Sequence, residues 1–168
     1  MRSSSSEESG LKFEEAAPED AQALARVSKR AFDNDVHYGA PGPGGPPGYD
    51  TDTWQLKMMT AAEYYKILLA GRIVGGLIVR LRGYRYYEVT RIFVEPAFQN
   101  QGIGTGAFDF LWSRYPQVER WTLGTPGWNR RTRHFYQKVG FEEIGELSWG
   151  GILFEKIVSP ADQGEQPG

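Results

Sequence analysis

"FQNQGIGTGAF", residues 98–108, sets three glycines within five positions at the point where a helix is about to begin. Glycine inside a helix costs about 0.5–1 kcal/mol relative to alanine, so something other than helix stability calls for it. The first four backbone N–H groups of a helix lack internal partners, and the helix dipole is positive there. Stripping side chains from that end lets an anion approach those groups. The stretch therefore reads as a phosphate or pyrophosphate cradle, or as a tight turn whose glycines serve only positive φ or close packing.

The elements on either side narrow the choice. "LKFEEAA", 11–17, opens as a short strand. Pro18 then stands at a first helical position, with Glu19 and Asp20 in the first turn, and the helix runs to about Phe32. A Gly/Pro loop, "PGPGGPPG" at 41–48, excludes helix and central strand. "DTWQLKMM", 52–59, reads as a short helix. Strand-like runs follow at 62–69, 72–82 and 85–94, joined by hairpin turns at "AGR" and "RGYR". The helix opened by the glycines carries Phe108, Leu111, Trp112 and Tyr115 as one apolar stripe and stops at Pro116. A strand at 118–125, a helix at 128–140 ending on glycine, and two strands at 141–149 and 150–158 complete the order. This predicts an α+β fold: a mixed, mostly antiparallel sheet flanked by helices, with one helical crossover that makes the strands at 85–94 and 118–125 parallel neighbours.

That order excludes two familiar phosphate motifs. Gly102, Gly104 and Ala107 satisfy G-x-G-x-x-A, but the dinucleotide fingerprint needs a parallel βαβ unit with an acid closing the next strand. Here that strand ends "TLGT", 122–125, and three hairpin-like strands precede the motif. The G-K-[ST] of a P-loop is absent.

Composition excludes further classes. A chain of 168 residues with 40% hydrophobic and 14% aromatic residues suffices for one domain with a real core. A net charge of -2 points to neither a nucleic-acid nor an anionic-membrane partner. With no cysteine, disulfides, thiolate metal sites and thiol nucleophiles are excluded, which suits a reducing cytoplasm. "MRSSSSEESG" has no apolar core for a signal peptide, and "IVGGLIV", 73–79, is too short to span a bilayer. Residues 1–9 and 159–168 are expected to be disordered tails around a single domain at 10–158. His37 and His134 are lone histidines without a third ligand at metal spacing, so no metal site is expected. Arg130, Arg131 and Arg133 form a charge run that either meets a phosphate or is a solvated face. Trp112, Trp121 and Trp149 are expected in the core.

"QNQGIG", 99–104, resembles the Q/R-x-x-G-x-G/A segment of the GNAT superfamily of acyl-CoA N-acyltransferases. "APEDAQALARV", 17–27, is similar to the family's opening into its first helix. "IFVEPAFQNQGIG", 92–104, matches its strand, proline and phosphate loop, and "NRRTRHFYQKVGF", 129–141, its N-x6-Y-x3-GF segment. The resemblance covers nearly the whole folded region. It implies a GNAT fold with a βα phosphate loop, acetyl-CoA as co-substrate, and an amine acceptor. It implies that Gln99, Asn100, Gln101, Gly102, Ile103, Gly104 and Thr105 wrap the pyrophosphate, chiefly through main-chain N–H groups from Gln101 to Thr105. Main-chain groups of Ile92, Phe93 and Val94 are implied to pair with the pantetheine amides.

The chemistry names two more residues. A lysine-like amine has a pKa near 10.4, so reaching its neutral form at pH 7 costs about 4.6 kcal/mol, and a positioned base helps by about 10²–10⁴-fold. Glu88 is the candidate base. It stands eleven residues before Gln99, the offset of the base glutamate in the histone acetyltransferase branch of the resembled family, and strand alternation places it on one face with Thr90, Ile92 and Val94. The plainer alternative is a solvated carboxylate on an exposed face, or one paired to Arg80, Arg82 or Arg91. Tyr136 is the candidate donor to the leaving thiolate, a role that rests mainly on the resemblance; the plainer reading is a tyrosine that merely packs. Asn129, seven residues earlier, shares its helix side and suits a lip over the pantetheine arm.

For the acceptor, residues 32–54 carry Asp33, Asp35, Asp50 and Asp52 and no lysine or arginine. Four carboxylates without a counter-charge, with Tyr38, Tyr49 and Trp54 as cation–π faces, favour a small cationic amine or a lysine-bearing peptide. A mobile acidic loop that touches nothing is the plainer alternative. The competing function is a non-catalytic acyl-CoA sensor. Either would work as a monomer or homodimer in the cytoplasm.

Overall fold

The computed structural model describes residues 10–159. The tails expected to be disordered lie outside the described residues, apart from Ser159. Seven strands form one sheet in the order β1-β2-β3-β4-β5-β7-β6: β1 Leu11–Glu15, β2 Glu63–Leu69, β3 Arg72–Gly83, β4 Tyr86–Val94, β5 Arg120–Pro126, β6 Glu142–Glu146 and β7 Gly151–Ile157. Four helices flank it: α1 Ala21–Asp33, α2 Asp52–Ala61, α3 Ile103–Arg114 and α4 Arg130–Lys138. The expected crossover is present. β4 and β5, joined by α3, pair in parallel, and every other neighbour is antiparallel.

Each face of the sheet buries one apolar layer. On one, Phe108 and Leu111 of α3 and Tyr136 of α4 pack on Ile67, Leu77, Val79, Trp121 and Phe154. On the other, Leu24, Val27 and Ala31 of α1 and Met58 of α2 cover Tyr64, Ile78 and Phe93. Two apolar layers on one sheet are what a two-sided α+β domain requires. Trp149 departs from expectation: it sits 61% exposed on the β6–β7 turn rather than in the core.

Two irregularities of β4 shape the site. The first is a β-bulge against β3. Ile78 pairs with Arg91 but Val79 pairs with Val89, so Thr90 is the extra residue. Because side chains alternate with period two, one extra residue exchanges the faces beyond it. The second is the loss of β5. The β4–β5 ladder holds only Tyr86↔Arg120, Tyr87↔Trp121 and Glu88↔Thr122. Past Glu88 the strands part while β4 stays paired to β3 and β5 to β7. The second half of β4 thus presents one unpaired backbone edge to a notch.

Candidate active site

The notch is a cavity of about 460 Å³. Its walls are Ile92, Phe93 and Val94 of β4, Ala31, Phe32 and Asp35 at the end of α1, Arg131, Thr132, Phe135, Tyr136 and Lys138 of α4, and the chain from Phe98 to Thr105 except Gln101.

The expected phosphate loop is built from turns that leave donors free. Glu95 N–H donates to Val74 O at 2.7 Å, Pro96–Phe98 makes one 3₁₀ turn, and Gln99 Nε2 donates back to Val94 O at 3.0 Å. Asn100 at φ 63 and Gly102 at φ 84 then turn the chain through left-handed conformations into α3. Thr51 caps α2 by accepting from Trp54 N–H at 3.3 Å, and Asn129 caps α4 by accepting from Thr132 N–H at 3.1 Å. No side chain caps α3, whose first backbone bond is Gly106 N–H to Gly102 O at 2.9 Å. The N–H groups of Ile103, Gly104 and Thr105, which line the notch, are left without a helical partner at the positive end of the α3 dipole. An ion pair holds the loop in place: the Arg30 guanidinium of α1 grips Glu95 through two bonds of 2.7 and 2.5 Å.

Tyr136 stands in the wall of the notch, fixed by edge-on rings of Phe108, Phe141 and Phe154 at centroid distances of 5.8–6.3 Å. Burial pushes its phenol up to about 12, opposed by Arg131. Among the described residues no protein group hydrogen-bonds its hydroxyl, so the proton is held and remains available to a ligand.

Glu88 lies on the last rung before β4 and β5 part, opposite Thr122. The bulge corrects its expected face. Ile92 and Val94 pack with Val89 on the α3 side, whereas Glu88 shares the α1 side with Arg91 and Phe93. The carboxylate is half-buried and not free: Arg80 Nη2 and Thr90 Oγ1 both donate to Oε1 at 3.3 Å. It marks the apex of the notch and lies outside the cavity wall.

Two other expected site residues also lie outside that wall. Gln101 is exposed and its Nε2 donates to Ala97 O at 3.4 Å. Asn129 is 2% exposed, and its Oδ1 is spent capping α4. Conversely, a clasp that the sequence did not reveal crosses the notch. Arg131 Nη2 pairs with Asp35 at 3.3 Å, and its guanidinium lies 4.2 Å from the Tyr38 ring. Burial raises the Asp35 carboxyl even beside this cation. The three arginines of the charge run thus divide: Arg131 roofs the notch, Arg133 pairs with Glu143 at 2.9 Å, and Arg130 is exposed.

The acidic loop is corrected too. Asp33 pairs with Lys29 at 2.6 Å and accepts from Tyr49 Oη at 2.8 Å, and Asp35 is held by Arg131, so two of the four carboxylates carry counter-charges. The expected cation–π faces of Tyr38 and Trp54 are filled by the protein's own Arg131 and Arg91. Only Asp50 and Asp52 stay exposed as bare acids.

The acetyltransferase (GNAT) domain matches residues 60–143, half of the chain, from β2 through the phosphate loop to the segment after α4. The chain belongs to the GNAT acetyltransferase family. Among curated proteins it is 33% identical over 102 residues to the uncharacterised protein YrkN of Bacillus subtilis (strain 168), a match covering 60% of this chain and 55% of YrkN. The match thus spans about half the length of that relative. Among solved structures, the PaiA N-acetyltransferase of Thermoplasma acidophilum in complex with coenzyme A superposes with a TM-score of 0.74 at 13% identity, over 88% of this chain and 98% of that one. The ribosomal-protein-S18-alanine N-acetyltransferase of Escherichia coli gives 0.69 at 17% identity, over 94% and 99%. At these identities the likeness establishes the GNAT fold. GNAT chemistry is acyl-CoA-dependent N-acetyl transfer with acetyl-CoA as co-substrate. Among the described residues no group of three or more His, Cys, Asp or Glu is placed to hold a metal ion, and no helix is long and apolar enough to cross a membrane.

Proposed function

We propose that this protein moves the acetyl group of acetyl-CoA to a small primary amine by direct attack on the thioester. The observation that carries this reading is the uncapped start of α3 opening onto the same notch as Tyr136. One end of the notch suits a pyrophosphate, and the other suits a reacting thioester.

The residues divide the work as follows. N–H groups of Ile103, Gly104 and Thr105 bind the pyrophosphate, with Lys138 in the same wall adding positive charge. The free edge of β4 at Ile92–Val94 aligns the pantetheine arm by strand-like hydrogen bonds. Glu88 at the apex accepts the proton that the amine must lose, and the amine nitrogen then attacks the acetyl carbonyl carbon. As the C–S bond breaks, the Tyr136 phenol gives its proton to the leaving sulfur; the surplus proton on the new amide nitrogen passes to the Tyr136 oxygen, and Glu88 releases the proton it took to solvent. With no cysteine in the chain, no acyl-cysteine forms. On the acceptor side, Asp50 and Asp52 attract the protonated amine end of the acceptor before Glu88 discharges it. A cytoplasmic enzyme, monomeric or homodimeric, is consistent with this chemistry.

The deciding experiment measures thiol release from acetyl-CoA across a panel of amines, amino acids and peptides. Amine-dependent release supports the transferase. Tight acetyl-CoA binding with no release for any acceptor replaces it with the acyl-CoA sensor.

A further inference from the structure

Arg91 is half-buried on the α1 face of β4, and among the described residues no carboxylate pairs with it. Its guanidinium stacks 3.7 Å from the Trp54 ring, and Nη2 donates to the carbonyl oxygen of Pro47 at 2.5 Å. Nη1 is buried without a hydrogen-bond partner. Burial lowers its pKa to about 10. A buried cation in native proteins normally has an anion beside it. Here a neutral carbonyl from the Gly/Pro loop occupies one N–H and nothing occupies another.

The register fixes where this gap lies. Glu88 is opposite Arg80 and Arg91 is opposite Ile78, two residues apart on β3. The Thr90 bulge therefore brings Glu88 and Arg91 to the same face with backbone anchors roughly 7 Å apart. Arg80, which pairs with Glu88, likewise keeps a buried Nε without a partner. This face thus presents one carboxylate flanked by two guanidiniums, a surplus of one positive charge beside the candidate base.

We propose that the acceptor is an amino acid or a similar small molecule carrying a carboxylate a few bonds from its primary amine. The inference rests on the transferase reading above and adds the second anchor. Glu88 takes the amine, and the Arg91 fork takes the carboxylate in place of the Pro47 carbonyl. Two adjacent N–H groups of a guanidinium match the two oxygens of a carboxylate, which a carbonyl fills only singly. The Gly/Pro loop then has a function: it covers Arg91 until the acceptor's anion displaces it.

The test compares glycine, β-alanine and 4-aminobutanoate with their amides as acceptors, with 2-aminoethylphosphonate as a separate arm. At least one acid should exceed its amide in kcat/KM by more than about tenfold, because the amide leaves a charged donor unanswered. In Arg91→Met that ratio should fall to about one, mainly through KM, and Arg91→Lys should restore only part of it. Acetyl-CoA affinity and melting temperature, measured alongside, should stay with wild type. Equal rates for acids and amides in the wild type, or an equal loss for both in Arg91→Met, overturns the carboxylate anchor. So does a phosphonate that outruns every acid. If no amine turns over, the transferase reading fails separately. Calorimetry of N-acetyl-β-alanine against wild type and Arg91→Met then decides the anchor: Arg91-dependent binding sustains it, and its absence ends it.

Discussion

Gly102→Ala isolates the phosphate loop's dependence on one backbone conformation. Gly102 lies at φ 84 and ψ 3, and a Cβ built there meets nothing within 4 Å. Sterics with neighbours therefore contribute nothing, and the effect is the left-handed penalty of a non-glycine residue, roughly 1–2 kcal/mol. That energy can surface in two places. If the free protein keeps its loop, the strain is carried in both free and bound states; the melting temperature falls by about 2–8 °C for a chain of this size, and acetyl-CoA affinity holds. If the free loop relaxes, its N–H groups swing away, the melting temperature holds, and binding must restore the strained turn, weakening affinity by about 5–30-fold. The two losses together should total roughly 1–2 kcal/mol. Gly71, in the β2–β3 hairpin at φ 81 and equally open, is the control: Gly71→Ala should lower the melting temperature alone. Asparagine tolerates this conformation, so Gly102→Asn should show a smaller total. Scanning calorimetry and titration calorimetry with acetyl-CoA read both quantities. A Gly102→Ala protein that moves in neither, or one whose alanine and asparagine variants match, refutes the argument.

Glu88→Gln should lower kcat most at low pH and recover in part as rising pH supplies neutral amine, visible in the pH profile of thiol release. Tyr136→Phe should slow turnover by about 10–100-fold while acetyl-CoA affinity by calorimetry stays within about twofold. The Tyr136 pKa is raised to about 12, so the phenol stays protonated below that value, and the wild-type rate should show no alkaline decline from this group below about pH 10. Glu95→Gln removes the charge that anchors Arg30. With the Arg30 side chain half exposed the loss is about 1 kcal/mol, a fall of roughly 2–4 °C in melting temperature, and the loosened loop should also bind acetyl-CoA less tightly.

The element order was legible because its signals are local. Pro18 with Glu19 and Asp20, the apolar stripe of α3, the Gly/Pro break and the hairpin turns each act over a few residues, and each element formed within two or three residues of its expected bounds. The parallel pairing of β4 with β5 followed from chain connectivity alone, since a crossover helix leaves little other choice. The uncapped start of α3 was equally local: glycines, with no capping side chain among them, state that the first N–H groups are left open.

Tertiary structure alone decided which way Glu88 points, because the Thr90 bulge exists only through the register between β3 and β4 and no residue near it announces an insertion. It decided that Asp35 and Tyr38 are held by Arg131, nearly a hundred residues away, so one of the loop's four carboxylates is neutralised by a distant segment. It decided that Arg91 is a half-buried cation which, among the described residues, no carboxylate pairs with. Composition and spacing determine which elements form and which backbone groups they leave open. Only the folded register and the packing of distant segments determine which charges meet, because Coulombic pairing and burial depend on distance in space and not along the chain.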